Sequence, residues 1–397
     1  MKWLPAAALF VACGWAVAQS FEQNPALPLG DPAIQYFERA TADPVALLQR
    51  RLDRGETKLE FQPDRRGYLA SVLRLLDVNV DSQLLVFSKT SFQAVLISPE
   101  KPRAVYFNDR VAVGSVQDGD VMELASLDPA QGIVFYTLDV RQSAHPHFER
   151  RDGCLHCHQG IASAGVPGLV VSSLYTSPSG MPAEHSGHVA IDHRSPLADR
   201  WGGWYVEGSL GSQTHRGNMV VPERASPEDL ARLATKNAVA LKGKVDTSTY
   251  LADTSDVVAL MTLEHQAHMT NLITRVGWDA RLGVPDARLD AEIGEMVAYM
   301  LFADEAPLKE PIRGVSSFTK TFPQRGPLRE FDLTTRLFRY PLSYMIYSEA
   351  FDALPARARD RVYRKLFDAL TRSGRNDILR ILRETKPDLP AYWRERG

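Results

Sequence analysis

Cys154-Leu155-His156-Cys157-His158 brings two thiols and an imidazole into five consecutive residues. Spaced three apart, the thiols can each form a thioether with one vinyl group of a single porphyrin. The adjoining His158 is then placed to ligate the iron from the proximal side. The expected chemistry is that of one covalent haem c held by Cys154, Cys157 and His158.

Cysteine usage agrees with this expectation. The chain has three cysteines, and Cys13 lies in an N-terminal segment expected to be removed, which leaves only the motif pair. A disulfide-stapled secreted domain would spread more cysteines along the chain. A structural zinc site would need two further thiolate or imidazole ligands at recognisable spacing. A thioredoxin-type C-x-x-C needs a strand before it, whereas residues 143–152 are polar and contain Pro146.

The N-terminus reads as an export signal over residues 1–18. Met1-Lys2-Trp3 supplies the positive start, Leu4 to Ala18 is apolar, and Ala16-Val17-Ala18 forms an A-x-A cleavage pattern. The run is too short to span a bilayer, and no later stretch suits a transmembrane segment. Export to a bacterial periplasm is therefore expected, with a lipoprotein anchored through Cys13 as the alternative. Net charge is −2, but residues 310–397 carry 18 Lys/Arg against 11 Asp/Glu. Such a tail reads as solvated helix faces, or as a docking surface for an acidic redox partner or lipid headgroups. Basic and acidic residues alternate through it, so nothing favours nucleic acid.

The elements that must position the motif define an α+β protein. In residues 19–152, Asp43-Pro44 opens a helix through Leu52, a second amphipathic segment runs from Tyr68 to Leu76, and short strands follow. These strands are expected at Gln83–Lys89, Phe92–Ile97, Ala104–Phe107, Val121–Leu124 and Ile133–Leu138. Residues 153–224 hold the attachment segment and strands near Leu169–Tyr175, His188–Ile191 and Trp204–Val206. Residues 225–397 are mainly helical, with a start at Ser226-Pro227-Glu228 and long helices over Val257–Val276 and Ala287–Phe302. Three or four further helices are expected after Pro323.

The sixth position on the iron decides what the metal does. Met261-Thr-Leu-Glu-His265-Gln-Ala-His268-Met269 is the densest group of possible ligands, and His265 is the first choice for the distal one. His215, in a glycine-flanked loop, is the second choice. His193 reads as a local turn residue, and His145, His147 and His156 as surface. In Arg200-Trp201-Gly202-Gly203-Trp204-Tyr205, the aromatic residues could wall a planar cofactor and Arg200 could meet a propionate; a core strand is the alternative.

The C-x-x-C-H motif resembles that of the c-type cytochromes as a class. Residues 290–302, with Val297-Ala298-Tyr299-Met300, are similar to the closing helix of class I cytochrome c domains. Met181, before Pro182, resembles their Met-Pro ligand loop but falls only 24 residues after Cys157. The chain departs from class I cytochromes in size, and from di-haem cytochrome c peroxidases in carrying a single motif. The resemblance implies a mono-haem electron-transfer protein with an unidentified redox partner. A peroxidase-like or oxygenase-like enzyme with an open distal site is the alternative, and a haem-based sensor a third. Neither substrate nor oligomeric state is readable from the sequence.

Overall fold

The computed structural model describes residues 26–63, 66–233, 241 and 243–394. The expected export signal and Cys13 lie outside the described residues. The fold is α+β: a seven-stranded antiparallel sheet in the first half and helices in the second.

Chain order begins with α1 (Pro44–Asp53) and α2 (Leu69–Leu75). Asp43 caps α1 as expected, its carboxylate accepting from Val45 N at 3.0 Å and Ala46 N at 3.2 Å. Then come β1 (Leu84–Val86), β2 (Arg103–Phe107), β3 (Val111–Ser115), β4 (Val121–Asp128), β5 (Gly132–Asp139) and β6 (Phe148–Arg150). The C-x-x-C-H segment forms α3 (Leu155–His158), followed by the small antiparallel pair β7 (Ser172–Ser173) and β8 (Val189–Ala190). The strand β9 (Trp204–Tyr205) completes the sheet, whose order is β6-β5-β4-β3-β2-β1-β9. The helices are α4 (Pro227–Arg232), α5 (Val257–Arg281), α6 (Asp286–Met300), α7 (Phe318–Thr321), α8 (Glu349–Asp352), α9 (Ala356–Arg372) and α10 (Asn376–Thr385). None of the described helices is long and apolar enough to cross a membrane.

Period-two alternation divides the sheet between two cores. Leu85, Tyr106, Val113, Leu124, Val134 and Tyr136 face α1 and α2. Val86, Val105, Ala125, Phe135 and Trp204 face the other way, toward α5 and the C-x-x-C-H segment. Helix α5 is buried over nearly its whole length, which makes it the central pillar of this second core. All three sequence regions contribute to that core.

Three strand expectations change. Phe92–Ile97 is not a strand but a loop with one turn at Ala94–Leu96, because no neighbouring strand pairs with it. Val111–Ser115 and Phe148–Arg150 are strands that the turn residues around them had hidden.

The aromatic run is resolved in favour of the core. Trp204 and Tyr205 pair with Val86 and Leu85 in the sheet, and Trp201 is fully buried at φ 71°. Gly202 permits a close backbone approach, since a Cβ there would lie 2.5 Å from Leu174 O. Gly202→Ala is expected to cost about 3 kcal/mol, seen as a lower midpoint in urea denaturation.

The basic tail is partly neutralised at its inner edge. Arg357 and Arg361 both reach Asp286 of α6, at 2.6 and 2.8 Å, and Arg361 also reaches Asp290 at 3.0 Å.

Candidate functional site

A single helical turn at Asp152–Cys154 leads into α3, so Cys154 and Cys157 stand three residues apart on one helix face. Cys154 is half-buried and Cys157 exposed, and neither is in a disulfide.

His158 is oriented from behind. Its Nδ1 lies 3.0 Å from the carbonyl oxygen of Gly168, and Gly168 N donates back to His158 O at 2.9 Å. With its proton on Nδ1 and donated to the carbonyl, the ring carries its lone pair on Nε2. This is the second contact that metal-bound histidines commonly make. Nε2 has no hydrogen bond among the described residues. Burial keeps the ring's pKa below the ordinary histidine value, so the imidazole is neutral at pH 7 and able to coordinate.

The Gly168 carbonyl is itself fixed by α5. Asn271 clamps the next residue, accepting from Leu169 N at 3.0 Å and donating to Leu169 O at 2.7 Å. A Cβ on Gly168 would sit 2.1 Å from Asn271 Oδ1, so glycine is required for this approach. Phe135 packs against the His158 ring at 4.8 Å between centroids.

The sheet supplies charge below the motif. Arg103 of β2 and Glu123 of β4 meet at 2.9 Å across Gly114 of β3, which has no side chain to separate them. Burial first, and then the Glu123 carboxylate, raise the Cys154 thiol above its ordinary pKa. Cys154 is thus a protonated thiol at neutral pH rather than a free-standing thiolate nucleophile.

These residues fit a covalent haem. Two unpaired thiols share a helix face, and the neighbouring imidazole has its tautomer set by a backbone acceptor. Among the described residues no three His, Cys, Asp or Glu side chains gather to hold a bare metal ion. A porphyrin brings its own four nitrogens and needs no such cluster.

The distal expectations fare differently. His265 is fully buried on α5, with Nδ1 2.9 Å from His193 Nδ1 and Nε2 2.8 Å from Ser343 Oγ. Both ring nitrogens are therefore engaged, and its ring packs with Tyr299 and Phe302. None of these described contacts is with Cys154–His158. His215 is also fully buried, its Nδ1 accepting from Gly217 N at 3.0 Å and its ring against Trp201. It too stands apart from the described contacts of the motif. His193 lies in the local turn expected of it, where Ser195 N donates to Asp192 O at 3.0 Å, and is buried there against His265.

Arg200 is likewise withdrawn. Its guanidinium pairs with Glu264 and donates to Ser195 O at 2.7 Å and His193 O at 2.8 Å. It is a core cation, not a surface one for a propionate. His145, His147 and His156 are exposed as expected, and Met181 is 49 % exposed in its loop.

Gly168, Asn271, Phe135 and the Arg103–Glu123 pair were not identified from the sequence. Pro167-Gly168, ten residues after His158, was the one local signal: a turn able to return a carbonyl to the histidine.

The buried histidines set an acid limit on stability. Burial lowers His215 to about 4. The unfolded chain takes up that proton below about 6.5, so this contribution is complete above that pH and is lost as pH falls toward 4. At pH 5 the expected loss from His215 is about 2 kcal/mol. Glu264, raised by burial to about 7, has the opposite sign and costs stability as pH rises from about 4.5 to 7. Comparing His215→Gln with the native chain by denaturant titration at pH 5 and 7 isolates the first effect. The variant should lose less between the two.

Comparison of the chain with protein-family models, curated proteins and solved structures finds no match.

Proposed function

We propose that this chain is a periplasmic mono-haem c-type cytochrome that transfers electrons through one haem bound at Cys154 and Cys157. The observation that carries the reading is the Nδ1 contact of His158 with Gly168 O at 3.0 Å, beside two unpaired thiols. When bound, the haem supplies one-electron chemistry at iron. The protein's residues then do three things. Cys154 and Cys157 hold the macrocycle's edge, which prevents its loss. His158 supplies the proximal nitrogen, held by the backbone so that its donor strength and angle are constant. Phe135 and the sheet behind it keep water from that side. The apolar run closing at Ala16-Val17-Ala18 supports export, and the basic C-terminal region supports a docking role toward an acidic redox partner.

A second reading is favoured by one observation. With both nitrogens of His265 engaged, the sixth position can stand open or weakly filled, as in a peroxidase-like or oxygenase-like enzyme. Spectra of the reduced, purified protein with and without carbon monoxide separate the two. A low-spin spectrum unresponsive to carbon monoxide is expected for the carrier. Ready binding would overturn it in favour of the enzyme. Absence of any covalent haem would overturn both.

A further inference from the structure

The segment between β1 and β2 bears a patch of apolar side chains with no cover. Phe92 is 75 % exposed, Val95 85 % and Leu96 36 %. Loops of polar composition do not normally present three such side chains together to water, and an exposed apolar patch marks a surface meant to be covered. Its root is nevertheless tightly tied. Ser91 Oγ donates to Glu123 Oε1 at 2.6 Å, and Gln93 Nε2 donates to Val121 O at 2.9 Å. Gln93 also fills the space above Gly119, where a Cβ would lie 2.6 Å from its Oε1. The apolar tips are thus held out by an ordered base.

Glu123 is the residue that joins this loop to the motif. The same carboxylate that anchors Ser91 pairs with Arg103, and Glu123 sits opposite Thr137 of β5, which accepts from Arg151 Nε at 2.9 Å just before the motif; Phe135, two residues along the same face, packs on the His158 ring. The loop base and the attachment helix therefore flank one carboxylate on one face of the sheet. Arg103, at the floor between them, has a buried Nε without a hydrogen-bond partner among the described residues. The side chain as a whole is 19 % exposed, which leaves the guanidinium within reach of an acidic group beside Glu123.

We propose that the loop bearing Phe92, Val95 and Leu96 is the apolar cover of the haem attached at Cys154 and Cys157. This rests on the haem reading above. The occupant is fixed by what lies beside the loop: a porphyrin offers a wide apolar face and acidic edge groups, which match the three side chains and the Arg103 floor. The loop sets how much water reaches the iron, and through that the reduction potential.

The test uses the full-length, haem-loaded protein. Phe92→Asp/Val95→Asp places two carboxylates in the cover, and Phe92→Ala/Val95→Ala only uncovers the haem. Val315→Asp, at a site also 50 % exposed, serves as control. Covalent haem content and the reduction potential by optical titration are the readouts. The Asp pair should retain haem and show a lower potential, since negative charge and water both favour ferric iron. The Ala pair should shift the same way by less, and Val315→Asp should match the native protein. A native potential in the Asp pair, with haem bound, would overturn the inference and leave the haem reading intact. If the Asp pair fails to fold or load, the potential of the Ala pair decides. Native protein without covalent haem would overturn the reading itself and the inference with it.

Discussion

On the haem reading, Cys154→Ser/Cys157→Ser is expected to retain no covalently attached haem after chromatography under denaturing conditions, where the native protein should retain it. The expected loss is complete because a serine hydroxyl, un-ionised and weakly nucleophilic, does not add across a vinyl group as a thiol does. The substitution is otherwise mild. Cys157 is exposed and Cys154 half-buried, so neither fills a core position whose loss would leave a cavity. Far-ultraviolet circular dichroism should therefore be unchanged. His158→Ala is expected to separate attachment from ligation, keeping the thioethers but losing the proximal nitrogen and the native spectrum. Haem remaining on the double serine variant after denaturation would show that these thiols are not its attachment points.

Glu264→Ala is expected to lower stability by about 3–5 kcal/mol, the largest effect of any single change away from the motif. Glu264 is fully buried and satisfies two partners at once: the Arg200 guanidinium, and Trp201 Nε1 at 3.0 Å. Truncation strands a cation whose side chain is 2 % exposed, with only the Ser195 and His193 carbonyls left to it. It also orphans the indole N–H of a residue held at positive φ, where strain persists only if the surroundings insist on it. With unfolding entropy of about 2.1 cal/mol/K per residue over a chain of this size, the melting temperature should fall by about 5 °C. Glu264→Gln, which keeps an acceptor and the shape, should lose less. A Glu264→Ala protein that melts with the native one would show that this ion pair contributes nothing net.

How far the sequence could be read follows from what kind of signal each feature sends. Asp43 before Pro44, and Ser226 before Pro227, are local capping signals, and both helices begin where they indicate. The attachment motif is local too, since all its chemistry lies within five residues. Helix α5 was recognisable by its length and apolar content, although its burial on every side could not be read from periodicity. The failures are long-range. Phe92–Ile97 has strand-like composition but no strand beside it, and pairing is a tertiary property. His265 and His193 are 72 residues apart in sequence, and nothing at either position announces that they pair. Gly168 and Asn271 orient His158 from 10 and 113 positions away, a contact no local pattern encodes.

The path of the attachment segment across the sheet has one more consequence. It leaves from β6 at one edge and returns as β9 at the other, so its two moorings are six strand spacings apart, roughly 29 Å. The segment is thus a strap whose ends are also the sheet's two edge strands, of three and two residues. Short edges discourage chains from adding to one another. Excising the strap would bare β5, an eight-residue strand with seven residues buried, and leave its backbone groups open to another copy. The region that holds the chemistry therefore also guards the protein against aggregation, and deletions meant to abolish the first should precipitate the chain through the second.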